Sequence, residues 1–323
     1  MTDKHLIVVS IPGGEDASYY KKELPSIAEF VKELDVKTAE TDDLIVVHEK
    51  NTKLLKGVTF THAKCISVRQ PLDLWMRDFT RVIPSLQVQF TYNPNYIKAK
   101  DASWVSKNFD KLLSEVATLA SVDTTKNNII LDGGNVVDND DDKAVITERL
   151  LADNRQITAV ALQEQVELLL KKNVCLIPDP GDKTGHSDGM VSFIERDTLL
   201  LADYGNKDEY EKLECIIRSR FPDTKIVRLP CKDTGKTWKG ISSAVGSYVN
   251  CLVTSDCVYI PRFGEDNEEV MSIIRSNTSK KVVSVDTGKL SHMGGSVRCM
   301  TWQIRSSHPI AKGLLQLASC EQH

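Results

Sequence analysis

The sequence predicts an α/β fold. Five segments carry apolar residues at three- and four-residue steps, which is the spacing of an amphipathic helix. Short runs rich in β-branched residues lie between these segments, and the two kinds of segment alternate along most of the chain. Such alternation is typical of helices packed on sheets, rather than of all-helical or all-strand proteins.

The helical segments are identified by their apolar faces. In the first, Leu24, Ile27, Phe30, Val31 and Leu34 fall on one side of a helix. After the first segment, the helices recur at intervals of roughly 50 to 60 residues, which hints at internal structural repetition. We predict helices over 21–34, 102–119, 158–171, 207–219 and 266–276.

The strands are predicted from short runs rich in valine, isoleucine and leucine. The run 6–11 is interpreted as a first core strand, because a signal peptide needs a longer apolar stretch behind basic residues. The other predicted strands are 44–47, 129–131, 145–147, 174–177, 198–201, 225–227, 258–260 and 282–285.

Composition excludes several classes of protein. The chain has 323 residues, 41% of them hydrophobic, and no Pro/Ser-rich linker, so we predict one domain over 1–323. The formal charge of -4 gives no reason to expect nucleic acid or an anionic membrane as partner. No apolar run approaches the roughly 20 residues needed to span a bilayer.

Cysteine usage indicates a reducing compartment. The eight cysteines form no C-x-x-C pair and no zinc-finger spacing. We therefore expect reduced thiols, a cytoplasmic location and no metal site.

One cysteine stands in a context suited to catalysis. Cys299 follows the turn Gly294-Gly295, in a β-prone run where Val297 and Cys299 would share one strand face. Glycines let a backbone turn closely beside a ligand. The thiolate is the nucleophilic form of cysteine, so a base or a lowered pKa is needed nearby.

His186 is the best available base. A two-residue step on an extended chain would place His186 and Asp188 on one face, lining one cavity. Asp132 ends an apolar strand before two glycines. It is expected either to form a turn or to orient the imidazole as the third member of a triad does.

A third segment suits a flat cation. Trp75 offers an apolar wall and a π-face, and Asp78 offers two acceptor oxygens that match the parallel N–H groups of a guanidinium. The alternative is a surface turn with a local Arg–Asp pair. A thiol, an imidazole and several carboxylates together indicate hydrolysis of a guanidinium group.

These segments together resemble the agmatine deiminase and Porphyromonas-type peptidylarginine deiminase family of guanidino-group-modifying enzymes. Residues 73–78 match its D-x-W-x-R-D motif and 185–188 match G-H-x-D. Residues 131–135 are similar to L-E-G-G, and 294–301 to G-G-N-I-H-C-x-T. The stretch from 247 to 264 is similar to S-Y-x-N followed by V-x-x-P-x-F-G, and all motifs run in family order.

The resemblance implies a five-bladed pseudo-symmetric α/β propeller of ββαβ units around a central site. It implies Cys299 as the nucleophile, His186 as general acid and base, and Asp78 and Asp188 as clamps on the guanidinium. Asp132 would be the acid behind His186, although the family usually has Glu there. No metal or other cofactor is expected.

Three departures bear on substrate recognition. The His that usually precedes the nucleophile is Arg298, a common Gln after it is Trp302, and Phe79-Thr80 replaces the usual Gly-Pro. The core chemistry survives all three.

The expected reaction passes through a covalent thiouronium. Cys299 adds to the guanidinium carbon, His186 protonates the departing ammonia, and His186 then activates water to give a ureido product. Carboxylates around the thiol should raise its pKa, and an arriving guanidinium should neutralise part of that field. The thiol is therefore expected to be sluggish in the free enzyme and to be activated by substrate or by protonated His186.

Agmatine, giving N-carbamoylputrescine, is the favoured substrate, because a cytoplasmic setting favours a small metabolite. Free arginine or C-terminal peptidylarginine carries a carboxylate that needs a cation, which Lys98 and Lys100 would supply unless they belong to an ordinary solvated loop. A catalytically altered family member acting as a binding protein, and amidino transfer to an amine, also stay open. So does a homo-oligomer.

Overall fold

The structure, a computed structural model, describes residues 4–81, 87–123, 126–265 and 267–320. Its strands are β1 His5–Ile11, β2 Asp43–Glu49, β3 Lys64–Val68, β4 Val137–Asp138, β5 Lys143–Thr147, β6 Asn173–Ile177, β7 Val191–Glu195, β8 Thr198–Asp203, β9 Lys225–Pro230, β10 Thr237–Trp238, β11 Ile241–Ser242, β12 Leu252–Val253, β13 Cys257–Arg262, β14 Lys281–Asp286 and β15 Trp302–Arg305. Its α-helices are α1 Gly14–Tyr19, α2 Leu24–Thr38, α3 Met76–Phe79, α4 Ala99–Ala117, α5 Arg149–Asp153, α6 Ala159–Leu170, α7 Lys207–Arg220, α8 Glu268–Arg275 and α9 Pro309–Cys320.

One local pattern recurs in four sheets. An antiparallel strand pair is followed by a helix and then by a strand parallel to the second of the pair, as in β4-β5-β6, β7-β8-β9 and β12-β13-β14. The fourth sheet has the order β15-β1-β2-β3, with β15 antiparallel to β1 and β2 parallel to it. The last strand of the chain therefore completes the first unit.

The recurring unit confirms the α/β class. Within the described residues these four sheets are mixed and open, and none closes on itself. Around α4 the described residues form only one parallel bridge, from Thr91 to Ile130, so the predicted strand 129–131 is wrong as an extended strand. A regular ladder is interrupted there because the side chain of Asn154 accepts from the backbone N–H of Ile130 at 2.9 Å and donates to its carbonyl at 2.8 Å.

The five predicted helices correspond to α2, α4, α6, α7 and α8, with shifts of a few residues at their ends. Position 266, where the fifth was predicted to begin, lies outside the described residues. Asn206 and Asn267 cap α7 and α8 by accepting from the backbone N–H groups of Glu209 and Val270, which fixes where those helices begin.

The core around the first sheet brings distant parts of the chain together. The helices α4 and α9 pack beside each other on this sheet. The Phe109 ring lies edge-on to the buried Trp302 ring, with centroids 5.3 Å apart, and the Trp302 indole donates to the Arg81 carbonyl at 2.7 Å. Trp302 is therefore a core residue whose contacts hold the segment after Cys299 in place.

Over the part of the chain that the structure describes, no helix is both long and apolar enough to cross a membrane.

Candidate active site

The candidate site is built from turns that leave or precede strands. Asp132 immediately precedes a 3-10 turn at Gly133–Asn135, and His186 precedes another at Ser187–Gly189. The extended chain expected between His186 and Asp188 is therefore wrong, since hydrogen bonding closes the Ser187–Gly189 segment into a turn. Both side chains nevertheless line one cavity.

The strand expected at Cys299 is also replaced by a turn. Met300 N–H donates to the Ser296 carbonyl at 3.2 Å, and the Thr301 hydroxyl donates to the Val297 carbonyl at 2.9 Å. These local bonds curl the segment, so Val297 and Cys299 do not share a strand face. The strand begins only at Trp302.

A cavity of about 300 Å³ brings the central groups together. Its lining includes Cys299, His186, Asp188 and Asn250. Cys299 is 7% exposed and His186 is 8% exposed, so both are largely shielded from bulk solvent.

The thiol of Cys299 lies between an amide and a carboxylate. The Asn250 side chain donates to Sγ at 3.1 Å, and Sγ lies 3.6 Å from Oδ2 of Asp188. Burial raises the pKa of the Cys299 thiol well above its usual value, and the charges of Asp188 and Asp78 raise it further. The protonated thiol is the expected form in the empty cavity at neutral pH.

The imidazole of His186 is held by carboxylates on two sides. Its Nε2 lies 3.1 Å from Oδ2 of Asp132, and its Nδ1 lies 3.9 Å from Oδ1 of Asp78. Burial lowers the pKa of His186, but Asp78 and Asp132 outweigh burial and raise it to about 10. The imidazolium is therefore favoured at neutral pH.

Tyr96 completes this arrangement. Its hydroxyl donates to Oδ2 of Asp132 at 2.6 Å and lies 3.5 Å from Nε2 of His186. The shorter side chain of Asp132, where the family usually has Glu, reaches both the imidazole and this phenol.

Asp78 lies beside the imidazole rather than in the lining of the cavity. Its Oδ1 is buried and has no hydrogen-bond partner among the described residues. Burial raises the pKa of Asp78 to about 7, and the nearby His186 opposes that rise. A buried acceptor without a donor is costly, and a cationic N–H donor would satisfy it.

Arg298 enters the site through its side chain. Its Nη1 donates to Oδ2 of Asp188 at 2.9 Å, and its Nη2 donates to the Val136 carbonyl at 2.7 Å. Arg298 is 8% exposed. One oxygen of Asp188 therefore already contacts a guanidinium that belongs to the protein.

Two glycines make room for these groups. A Cβ at Gly134 would come within 2.4 Å of Nδ1 of His186 and 2.8 Å of Oδ1 of Asp78. A Cβ at Gly295 would come within 2.4 Å of the Trp75 ring and 2.8 Å of Cβ of Cys299. Trp75 supports the turn that carries the candidate nucleophile but is not among the residues that line the cavity, so its predicted contact with the substrate has no support from the lining.

Two more predicted site residues lie away from the cavity. Lys98 and Lys100 are exposed at the start of α4 and are not among the residues that line the cavity. The outer part of the lining instead includes three acids, Asp182, Glu209 and Asp233, together with Lys232. The geometry therefore gives the role predicted for Lys98 and Lys100 no support.

Sequence reasoning assigned no role to Tyr96, and mentioned Asn250 and Arg298 only as parts of motifs. Arg298 had one usable signal, since it departs from the family pattern beside the nucleophile. No group of three or more His, Cys, Asp or Glu side chains within residues 4–81, 87–123, 126–265 and 267–320 is arranged to hold a metal ion.

Comparison with known proteins identifies the family of the chain. Residues 2–304 match the Porphyromonas-type peptidyl-arginine deiminase family. A protein of Enterococcus faecalis that bears the provisional name agmatine deiminase is 23% identical over 228 residues, covering 60% of this chain and 62% of that protein. The chain thus spans about three fifths of the length of the curated relative that it matches.

Solved structures share the fold. C. jejuni agmatine deiminase superposes with a TM-score of 0.76 at 16% identity, covering 94% of each chain. Agmatine deiminase of Enterococcus faecalis superposes with a TM-score of 0.71 at 16% identity, covering 94% of this chain and 93% of that chain. At these identities the likeness shows a common α/β fold.

The fold and the family match together define the class to which the protein belongs. The chain belongs to the Porphyromonas-type peptidyl-arginine deiminase family.

Proposed function

We propose that the protein hydrolyses a guanidinium group to a ureido group and ammonia, with Cys299 as the nucleophile. One observation supports this most strongly. A buried thiol, a carboxylate and an imidazole line one cavity, and a buried carboxylate oxygen of Asp78 beside the imidazole lacks a donor. A cationic, planar substrate rich in N–H groups complements this set.

The first half of the reaction would use the substrate's own charge. The guanidinium binds near Asp78 and Asp188, and its positive charge offsets the field that keeps the Cys299 thiol protonated. The thiol proton passes to bulk water, and the resulting thiolate forms a bond to the guanidinium carbon. The His186 imidazolium gives its proton to the departing nitrogen, and ammonia leaves.

The second half would return the catalytic groups to their starting states. The neutral imidazole of His186 takes a proton from water, and the hydroxide adds to the thiouronium carbon. The C–S bond then breaks and the O–H proton of the intermediate passes to sulfur, which releases the ureido product and restores the Cys299 thiol. Asp132 and Tyr96 hold the imidazole in place through both halves.

We propose an amine-terminated guanidine, agmatine above all, as the substrate, with N-carbamoylputrescine as the product. The acids Asp182, Glu209 and Asp233 on the outer lining favour a second positive charge on the substrate. Free arginine or C-terminal peptidylarginine is the competing substrate class, for which Lys232 is the cation in the lining.

The proposed architecture is a five-bladed propeller. Four sheets repeat one unit, and the bridge across α4 supplies part of a fifth, which supports a five-bladed propeller formed by a single catalytic domain over 1–323. The activity would be that of a hydrolase of linear amidines in the cytoplasm.

A product assay tests the proposal. Purified protein is incubated with agmatine, arginine or a peptide that ends in arginine, and both ammonia and the ureido product are measured. We expect the highest kcat/KM for agmatine and no detectable turnover by Cys299→Ala. The control is Cys215→Ala, because Cys215 is an exposed thiol outside the cavity.

Each other outcome has a defined meaning. A preference for arginine or the peptide would replace the proposed substrate. Loss of the guanidine with an amidinated amine as product, in place of a ureido compound, would identify amidino transfer. Saturable binding without any turnover would identify an altered member of the family.

A further inference from the structure

A second cavity, of about 140 Å³, lies behind the candidate active site. Its lining shares no residue with the first cavity. Arg298 lines this second cavity, and its Nη1 binds Asp188, which lines the first. The Arg298–Asp188 pair therefore forms part of the partition between the two cavities.

Each carboxylate group that lines the second cavity has at least one partner, although Oδ1 of Asp140 has no hydrogen-bond partner among the described residues. Asp138 accepts an ion pair from Lys172 at 3.5 Å, and Asp140 pairs with Arg305. Glu195 accepts from the Thr278 hydroxyl at 2.6 Å and the Ser279 N–H at 2.8 Å.

Cations also line the second cavity, and two of them lack a carboxylate partner among the described residues. Arg298 pairs with Asp188, and Arg196 pairs with Asp141 at 2.6 Å. Arg77 and Lys280, by contrast, have no carboxylate within ion-pair distance among the described residues.

Arg77 and Lys280 are held by neutral acceptors. Arg77 is 2% exposed and donates to the Gln303 side chain at 3.1 Å and the Arg298 carbonyl at 3.4 Å. Lys280 donates to the Thr254 carbonyl at 2.6 Å.

Burying a cation without a counter-charge is unfavourable. Burial and the neighbouring Arg298 lower the pKa of Arg77 to about 9, and burial lowers the pKa of Lys280. Asp188 and Asp138 oppose this shift at Arg77, and Glu195, Asp140 and Asp256 oppose it at Lys280, but burial outweighs them at both groups. The lining therefore retains net positive charge that an anion would neutralise.

We propose that the second cavity binds a small inorganic oxyanion between the guanidinium of Arg77 and the ammonium of Lys280. Both groups donate charge-assisted hydrogen bonds, which suit the several acceptor oxygens of such an ion. The volume of about 140 Å³ suits a small ion. The proposal does not depend on the reaction carried out in the first cavity.

Selenate provides one probe for both structure and affinity, because selenium scatters anomalously. Crystals of the full chain are soaked in sodium selenate, and the anomalous difference map is computed. We expect a peak within hydrogen-bond reach of Arg77 and Lys280. In solution, calorimetry at constant ionic strength should show saturable binding of one selenate per chain.

Two lysine variants make the test specific. Lys280→Met should weaken selenate binding by at least about tenfold, because it removes one charged donor. Lys281→Met is the matched control, since Lys281 is the exposed neighbour that pairs with Glu40, and it should bind within about twofold of wild type.

The proposal is overturned if wild type shows no saturable binding, if the anomalous peak lies outside the cavity, or if both lysine variants bind alike. Circular dichroism and thermal unfolding establish whether Lys280→Met folds. If it does not, the position of the wild-type peak alone decides.

Discussion

Arg298 and Asp188 form a buried ion pair beside the candidate nucleophile, with Nη1 to Oδ2 at 2.9 Å. The same Oδ2 lies 3.6 Å from Sγ of Cys299. The Arg298 guanidinium and the Cys299 thiol thus lie beside the same carboxylate oxygen. Arg298 occupies the position where the family usually has histidine. The charge of Asp188 is partly offset before any substrate binds.

Replacing Arg298 should therefore weaken the reaction. Arg298→Gln leaves Asp188 buried without its cation, so the thiol pKa should rise and kcat/KM should fall by about 10- to 100-fold. Arg298→Lys keeps the charge but not the fork geometry, and it should retain more activity. The measurement is the pH profile of kcat/KM for both variants, with thermal unfolding as the control for folding. Equal profiles for Arg298→Gln and wild type would contradict this role.

The pair Asp132 and Tyr96 should set the proton affinity of His186. Asp132→Asn removes a carboxylate that raises the His186 pKa. The imidazolium should therefore lose its proton at a lower pH, and the alkaline limb of the pH profile of kcat should shift to lower pH. Tyr96→Phe removes only one donor to Asp132, so its effect should be smaller, about tenfold or less in kcat. NMR titration of the His186 ring measures the pKa directly, and an unchanged or raised value in Asp132→Asn would refute the assignment.

Gly134 should be essential for a steric reason. A methyl group there meets Nδ1 of His186 at 2.4 Å and Oδ1 of Asp78 at 2.8 Å, so Gly134→Ala must displace the imidazole. We expect a loss of at least about 100-fold in kcat/KM with the fold retained, because small misplacements of catalytic groups are costly. Gly189→Ala is the control, since its Cβ would meet nothing within 4 Å. Similar activity in both variants would argue against a precise role for the imidazole.

The Cys299 thiol should become more acidic when a guanidinium binds. Burial, Asp188 and Asp78 raise its pKa, and the bound cation opposes the two charges, so the thiolate should appear at lower pH in the complex. Thiolate absorbance near 240 nm is titrated with and without guanidinium ion, with Cys299→Ala subtracted to remove the other cysteines. A pKa that stays the same or rises on binding would reject activation by substrate.

The fold class and the meeting of the motif residues in one site could be predicted, because both predictions depend on local sequence patterns. Apolar spacing predicts α2, α4, α6, α7 and α8, and the motif order predicts that Cys299 and His186 share a site. The turn at Cys299 could not be predicted from β-propensity, since hydrogen bonds from Met300 and Thr301 decide it.

Contacts between segments that are far apart in the chain could not be predicted from the sequence. Tyr96 reaches Asp132 across 36 positions, and Arg298 reaches Asp188 across 110. Neither pairing has a local signal, because both depend on how the sheets are placed. For Lys98 and Lys100 the sequence suggested a role that the structure does not support. Their charge and spacing suited a substrate carboxylate, but both side chains are exposed and are not among the residues that line the cavity.

Intact-protein mass spectrometry of an acid-quenched reaction tests covalent catalysis most directly. With agmatine, wild type should carry an adduct equal to the substrate mass less ammonia, mapped by peptide analysis to Cys299, and Cys299→Ala should carry none. Ureido product formed by Cys299→Ala at the wild-type rate, or an adduct on another residue, would contradict the account.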